Sequence, residues 1–498
     1  MKENESLKKE NSSLKWKTIF GAFWKFAERI CSNGVKFVVS LVLARLLLPE
    51  DYGIVALVTV FITICDKVVV GGFSTALIQK KDADNVDFST VLYFSLGIAA
   101  VAYTLLFFGA PLIADFYDAY NKQELINIIR VMSLQLFITA VNSVQHAYLS
   151  KTMQFKKASW SMIGGALASA VAGLALAYAG CGVWALVAQQ LFNGFAIMVV
   201  LFFISGWRPT LAFSFKSFKQ LFSYGWKIFA ASIIKVIYND TRSLVIGKVY
   251  TAADLAFYNK AQSFPQLIDT NVEGPIDSVL FPAISKKQSN IDDMRAMLRR
   301  AIKTTSFILM PLLIGLSAVA KPFIIILLTD KWAESIPLMQ ILAFSFIFAP
   351  VELENLQAIK AIGRSDIALK VEIIKKVAGV LILIASIPFG VTAIAVGMVI
   401  STTVSAIINA IPNKKLLGYT FKMQLKDILP SLIISLVMFG AVYPISLIDM
   451  NMWAMIFIQA GLGVVIYIGL SALFKLESFT YVLGLVKGFL KRGKKNES

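Results

Sequence analysis

The sequence predicts an all-α protein that crosses a membrane about fourteen times. Hydrophobic residues make up 57% of its 498 residues and charged residues 16%, whereas soluble domains are about 45–50% apolar and about 25% charged. Apolar stretches long enough to cross about 30 Å of hydrocarbon recur from Trp16 to Phe474. Because backbone groups in lipid must be satisfied within the segment that carries them, these stretches are predicted to be helices.

The distribution of basic residues supports this segmentation. The predicted spans are 18–47, 53–79, 88–113, 126–149, 158–179, 182–204, 223–247, 254–281, 301–328, 336–358, 366–388, 392–411, 428–448 and 452–474. The segments on the side of the termini hold 30 Lys and Arg, whereas the opposite loops hold only Lys122, Lys248 and Lys331. Since cytoplasmic loops carry the excess of cations, both termini are predicted to lie on the cytoplasmic side of a bacterial inner membrane.

Sequence similarity between the two halves predicts an internal repeat. Asp51 aligns with Asp254, and Lys151, which follows helix 4, aligns with Lys360, which follows helix 10. The offset covers an even number of helices, so the halves have the same orientation and form a parallel repeat. The predicted organisation is a cytoplasmic N-terminal segment 1–17, an N-lobe of helices 1–6 at 18–204, a cytoplasmic linker 205–222, a C-lobe of helices 7–12 at 223–411, helices 13–14 at 428–474 and a basic cytoplasmic tail 475–498.

Cations inside the predicted spans point to a polar cavity. A charge at the centre of a membrane helix costs about 2.5–3.5 kcal/mol on insertion scales, so it usually faces water or a partner. At 100° per residue, three cations of helix 1 share a 40° arc, and three of helix 7 share an 80° arc. These six residues are the predicted lining of a shared cationic cavity: Lys25, Arg29, Lys36, Lys227, Lys235 and Arg242.

Structural ion pairs are the alternative interpretation of these charges. Asp269 or Glu273 of helix 8 can neutralise Lys235 of helix 7. In helix 11 the spacing of Glu372 from Lys375 and Lys376 favours such pairs. Over all spans, however, fifteen bases stand against about ten acids. This excess favours an anionic ligand.

Three carboxylates within the spans are candidates for ion coupling: Asp66, Asp269 and Glu273. Asp66 lies halfway along helix 2 and Asp269 halfway along helix 8, which the repeat makes its equivalent. A carboxylate in such a cavity can take up a proton or Na⁺ on one side and release it on the other. The alternative is a permanent ion pair, for instance of Asp66 with Lys67 or of Asp269 with Lys235.

Several classes of function are disfavoured. The net charge of +18 is explained by cytoplasmic cations that face anionic headgroups, so anionic membrane lipids rather than nucleic acid are the predicted partners. Three separated cysteines and the single His146 show no metal pattern, and no cofactor is predicted. The sequence lacks a GxxxxGK[ST] motif and a long loop, which argues against an ATP-driven pump. A secondary transporter or passive flippase is favoured.

Short motifs carry a resemblance to a known family. Residues Ala44-Arg-Leu-Leu-Leu-Pro-Glu-Asp-Tyr-Gly53, Gly72-Phe-Ser-Thr-Ala-Leu-Ile-Gln-Lys80 and Gln154-Phe-Lys-Lys157 resemble the polysaccharide transporter (Wzx-type) family. That family belongs to the multidrug/oligosaccharidyl-lipid/polysaccharide exporter superfamily. The resemblance covers essentially the whole chain. It agrees with the predicted helix count, with the repeat and with the extra final pair of helices.

The resemblance implies a non-enzymatic function. A family member would flip an undecaprenyl-diphosphate-linked oligosaccharide to the outer leaflet by alternating access, with the polysaccharide polymerase machinery as a further partner. Cations lining the cavity suit the diphosphate. The alternatives are a lipid II flippase, a drug/cation antiporter, which should have an acidic cavity, and a membrane-embedded glycan polymerase or ligase. The last is disfavoured by the repeat and by the absence of a long outer loop.

Overall fold

The structure, a computed structural model, describes residues 31–117, 121–287, 290–484 and 487, and this part of the chain consists of helices and the segments that connect them, without a β-strand. Contacts group the chain into two units, 1–256 and 257–498. The predicted lobe boundary at 205–222 stays a prediction. The N-terminal helices are α1 (31–46), α2 (Pro49–Val70), α3 (Phe73–Gln79), α4 (Asn85–Phe116), α5 (Lys122–Met132), α6 (Gln135–Lys151), α7 (Phe155–Tyr178), α8 (Val183–Ile204) and α9 (Phe215–Val249).

The helix α10 (Ala252–Ser285) includes the boundary between the units, and the remaining helices belong to the second unit. They are α11 (Ile291–Ala318), α12 (Ala320–Leu328), α13 (Ser335–Phe344), α14 (Ala349–Ala361), α15 (Ser365–Ser386), α16 (Val391–Leu417), α17 (Phe421–Val442), α18 (Met452–Leu473) and a final helix α19, of which 477–484 is described.

A polytopic all-α membrane fold is confirmed, and each of the fourteen predicted spans falls on helix within the described residues. Ten helical spans there are long and apolar enough to cross a membrane, or eleven if α13 and α14, which meet at a 41° bend, form one span. The remaining predicted spans are α1, of which only 31–46 is described, and α10 and α15, which are long but rich in charged and polar side chains. The count of fourteen membrane crossings stays a prediction.

Four predicted spans, 53–79, 126–149, 301–328 and 336–358, each consist of two α-helices, a division that the apolar pattern does not show. The span 53–79 consists of α2 and α3, which are separated by Gly71 and Gly72 with φ of 53° and 75°. These are left-handed conformations that favour glycine. The second interruption, in the span 126–149, lies between α5 and α6 at 133–134. A long apolar run therefore does not imply one continuous helix.

Two helices begin earlier in the sequence than hydropathy predicts, because polar side chains cap their first turns. The helix α9 begins at Phe215 instead of 223, because the Ser214 hydroxyl accepts a hydrogen bond from the Ser217 amide at 3.3 Å. The helix α11 begins at Ile291 instead of 301, because the Asn290 side chain accepts from the amides of the first turn. Side-chain oxygens at this position satisfy amides that the helix itself leaves unpaired.

The local structure repeats at the spacing that the sequence predicts. Asp51 Oδ2 accepts from the Leu48 amide at 3.1 Å, and Asp254 Oδ2 accepts from the Thr251 amide at the same distance. Each carboxylate thus caps the first turn of its helix, which explains why the two acids align. A Lys–Asp ion pair also recurs where the next long helix begins, Lys80–Asp87 at 2.7 Å and Lys287–Asp293 at 3.0 Å.

Candidate functional site

The cation stripe of α9, which we define as Lys227, Lys235 and Arg242, lies in the first unit. Lys227 and Lys235 are exposed and Arg242 is half-buried. None of the three forms an ion pair within the described part of the chain. Asp240, the acid of the same helix, lies about 180° around the helix from the middle of the stripe. The stripe is therefore not neutralised by its own helix.

Close packing at the α2–α3 break positions α9. Gly225 of α9 approaches Gly72 so closely that a Cβ at Gly72 would overlap the carbonyl oxygen of Gly225. Phe218 and Phe222 of α9 pack on Phe73 of α3, with ring centroids 6.3 and 6.2 Å apart. These contacts lie on the side of α9 away from Lys227. They hold the helix on the side opposite Lys227.

The other predicted cations are only partly described. Lys25 and Arg29 lie outside the described residues. Lys36 of α1 is exposed and forms no ion pair within the region that the structure covers. The structure therefore brings Lys227, Lys235 and Arg242 onto one helix face, and the joint cavity with helix 1 stays a prediction.

Asp66 lies half-buried on α2, beside the side chain of Thr139 on α6. Its Oδ1 atom is inaccessible and has no hydrogen-bond partner among the described residues. No ion pair joins Asp66 to Lys67 there. The permanent Asp66–Lys67 pair considered above is therefore not formed.

Three polar side chains of α6, among them Thr139, share one helix face, a feature that the sequence reasoning missed. Gln135, Thr139 and Asn142 are spaced four and three residues apart, so they share one face of the helix. Asn142 donates to the carbonyl oxygen of Gly194 on α8 at 3.0 Å. The side-chain oxygens of Gln135 and Asn142 are buried without a donor in the described part of the structure. We call Asp66, Gln135, Thr139 and Asn142 the polar seam.

Acceptor oxygens without donors are costly to bury, and a proton or a small cation satisfies them. Uptake of a monovalent cation at the seam stays a prediction. Within the described residues, no group of three His, Cys, Asp or Glu is placed to hold a metal ion. The signal for the seam was in the sequence, because amides spaced three to four residues apart in an apolar span form a polar face.

The carboxylates of α10 belong to the second unit. Glu273 is buried, with 5% of its surface exposed, and Asp269 is half-buried. Both side chains interact with other groups of the protein. Their role in ion coupling stays a prediction.

Lys375 of α15 is an example of a buried charge that ion pairs neutralise within the protein. It is 7% exposed and lies 2.6 Å from Glu372 and 2.9 Å from Glu352 of α14. The predicted pair with Glu372 is confirmed. The contact with Glu352 was missed, because a partner on another helix leaves no spacing signal in the sequence.

A second ion-paired network lies in the same unit where α11 meets α17. Asp427, 4% exposed, accepts from Arg299 at 2.6 and 2.7 Å and from the Tyr419 hydroxyl at 2.8 Å. Lys303 lies 3.5 Å from Asp427 and 2.6 Å from Glu477 of α19. Arg299 is therefore held by the protein itself.

Comparison with known proteins identifies the family. The family model described as "polysaccharide biosynthesis protein" matches residues 42–337, which is more than half of the chain. The chain belongs to this family. The family match confirms the resemblance given by the motifs around Pro49 and Gly72.

Curated relatives carry names from polysaccharide synthesis. The lipopolysaccharide biosynthesis protein WzxC of Escherichia coli is 26% identical over 442 residues, which cover 85% of this chain and 88% of the relative. The succinoglycan biosynthesis transport protein ExoT of Rhizobium meliloti is 27% identical over 65% of each chain. The match thus spans about two thirds of the length of that relative. These similarities agree with the family assignment.

Solved structures support the fold. The lipid II flippase MurJ in an inward closed conformation superimposes with a TM-score of 0.74 over 92% of this chain and 98% of its own, at 16% identity. An inward-facing multidrug resistance transporter of the MATE family gives a TM-score of 0.63 over 78% and 94%, at 15% identity. The family member described here therefore has the helical fold of these membrane transporters.

Proposed function

We propose that this protein is a flippase for a lipid-linked oligosaccharide in cell-surface polysaccharide synthesis. The observation that carries the proposal is the family match over residues 42–337, supported by relatives named for polysaccharide transport and biosynthesis. The substrate is an undecaprenyl-diphosphate-linked repeat unit, which moves from the cytoplasmic to the outer leaflet. The protein lies in the bacterial inner membrane with both termini in the cytoplasm, and it delivers the substrate to the polymerase machinery.

The cation stripe of α9 would supply the positive charges that bind the diphosphate of the substrate. Lys227, Lys235 and Arg242 form no ion pair in the described structure, and together they span fifteen residues, or about 22 Å of helix. A diphosphate needs several charge-assisted hydrogen bonds to leave the headgroup region. Successive cations along one helix face supply such bonds at successive depths in the membrane.

The polar seam supports coupling to an ion gradient. Asp66 Oδ1 and the side-chain oxygens of Gln135 and Asn142 lack donors within the described residues, and a proton or Na⁺ satisfies them. Uptake of the cation on one side and release on the other would link the gradient to alternating access.

Gene deletion with complementation tests the proposal. We expect a lipid-linked oligosaccharide to accumulate in the inner leaflet of the deletion strain, measured by mass spectrometry and by its protection from an impermeant glycosidase. The wild-type gene should restore export. Accumulation of lipid II instead would assign the protein to peptidoglycan synthesis, and an unchanged lipid pool with lost drug resistance would indicate an antiporter. Either result would overturn the proposal.

A further inference from the structure

A concave groove of about 920 Å³ lies in the second unit. One wall is the last part of α10, with Ile276, Val279 and Leu280, and the other is the first part of α11, with Met297 and Ala301. Most side chains that line it are apolar. Lys287 and Asp293 lie at the end where α10 and α11 meet, which is the end predicted to face the cytoplasm, and Arg300 lies about two turns further along α11.

The dimensions of the groove match one end of a membrane lipid. Its lining on α11 runs from Asp293 to Thr305, twelve residues or about 18 Å of helix. Each headgroup layer of a bilayer is about 5–7 Å thick and each leaflet contributes about 15 Å of hydrocarbon. The length of the groove is therefore close to that of the headgroup layer and most of the hydrocarbon of one leaflet.

The charged side chains of the groove indicate which kind of lipid headgroup it would bind. Lys287 and Asp293 pair with each other at 3.0 Å, so their charges cancel. Arg300 forms no ion pair within the described residues, and its guanidinium lies 5.3 Å from the ring centroid of Tyr481 on α19. Tyrosine and arginine at this depth are typical of the interface with headgroups. The site therefore carries one net positive charge.

We propose that this groove is a binding site for one phosphatidylglycerol molecule of the cytoplasmic leaflet. Its single negative phosphate would contact Arg300, and an acyl chain would extend from there between Ile276 and Val279 of α10 and Ala301 of α11. One net positive charge matches one phosphate, whereas a polyprenyl diphosphate carries more negative charge than this site neutralises. The proposal needs the membrane topology but not the substrate of the proposed function.

Native mass spectrometry of the full-length protein from mixed micelles tests the proposal, with phosphatidylglycerol and phosphatidylcholine offered in equal amounts. We expect one retained phosphatidylglycerol per protein. Arg300→Gln should lower its retention about fivefold, the usual effect of one basic residue near a lipid surface. Val279→Trp should fill the groove and lower retention about tenfold, as if about two methylene groups were no longer buried.

Two variants of α17 serve as matched controls. Lys422→Gln removes an exposed cation, and Val437→Trp enlarges an exposed apolar side chain, both away from the groove. Each should retain the lipid as the wild type does, and size-exclusion chromatography reports whether all four variants fold. Equal retention in all four variants would overturn the proposal. Displacement of the lipid by an equimolar amount of undecaprenyl phosphate would overturn it too, because the groove would then belong to the substrate.

Discussion

The stripe of α9 and the Lys375 cluster of α15 contain the same kind of residue in two environments. Lys227 and Lys235 are exposed and have no carboxylate partner in the described structure, whereas Lys375 is 7% exposed and contacts both Glu352 and Glu372. A charge in a membrane span is costly unless it meets water or an opposite charge. In the Lys375 cluster, Glu352 and Glu372 supply the opposite charge. The stripe requires a wet cavity or an anionic ligand, so we propose that the stripe serves transport and the cluster serves stability.

The largest expected effect comes from removing the stripe. The triple variant Lys227→Gln, Lys235→Gln and Arg242→Gln should flip substrate at least about 100-fold more slowly, because each hydrogen bond to a charged group contributes about 1.5–3 kcal/mol. Flipping is measured in reconstituted vesicles and normalised to folded protein. We expect Lys36→Gln to give a smaller loss of the same kind.

Lys375→Gln is the matched control for this prediction. It leaves two partly buried carboxylates without their cation, and breaking a buried pair costs about 3–5 kcal/mol. We expect less folded protein and a lower thermal midpoint, but nearly normal flipping per folded molecule. If the triple variant flipped normally while Lys375→Gln did not, the two assignments would have to be exchanged.

A smaller effect is expected from Asp66→Asn. The substitution removes the charge but keeps the shape, so the seam should no longer bind a cation while the stripe still binds substrate. Flipping should then proceed at the rate seen without a proton or sodium gradient, and imposing either gradient should change it less than twofold. Asp115→Asn is the control, because Asp115 is an exposed acid of the same unit, paired with Lys122 at 3.2 Å. Persistent gradient dependence in Asp66→Asn would place the coupling site elsewhere.

The sequence predicts the helices well because lipid permits only internally bonded backbone. It predicts the Glu372–Lys375 pair for a similar reason, since residues three apart on a helix are neighbours. Contacts between different helices cannot be predicted from the spacing of residues along the sequence. The contacts of Lys375 with Glu352, of Arg299 with Asp427 and of Asp66 with Thr139 depend on which helices pack together. The interruption at Gly71 and Gly72 has a local signal in the two glycines, but hydropathy averages over it.

The smallest expected effect is at the edge of the Asp427 network, where Glu477 is 80% exposed. The hydrogen bond from Lys303 lowers the pKa of Glu477 below its ordinary value. The folded state therefore binds fewer protons than the unfolded state, so the stabilisation by Glu477 is fully present above the unfolded pKa of about 4.3 and is lost as the pH falls through the folded pKa. Exposed pairs contribute about 0.2–1 kcal/mol.

We therefore expect Glu477→Gln to lower the thermal midpoint in detergent by about 1 °C at pH 7 and by less near pH 3. Other acids titrate in both proteins, so the difference between wild type and variant isolates Glu477. Glu334→Gln, which alters an exposed acid that forms no ion pair within the described residues, should match the wild type at both pH values. A difference that grows as the pH falls would mean that Lys303 does not stabilise the ionised carboxylate. Lys303 would then serve Asp427 alone, and the network would end at α17.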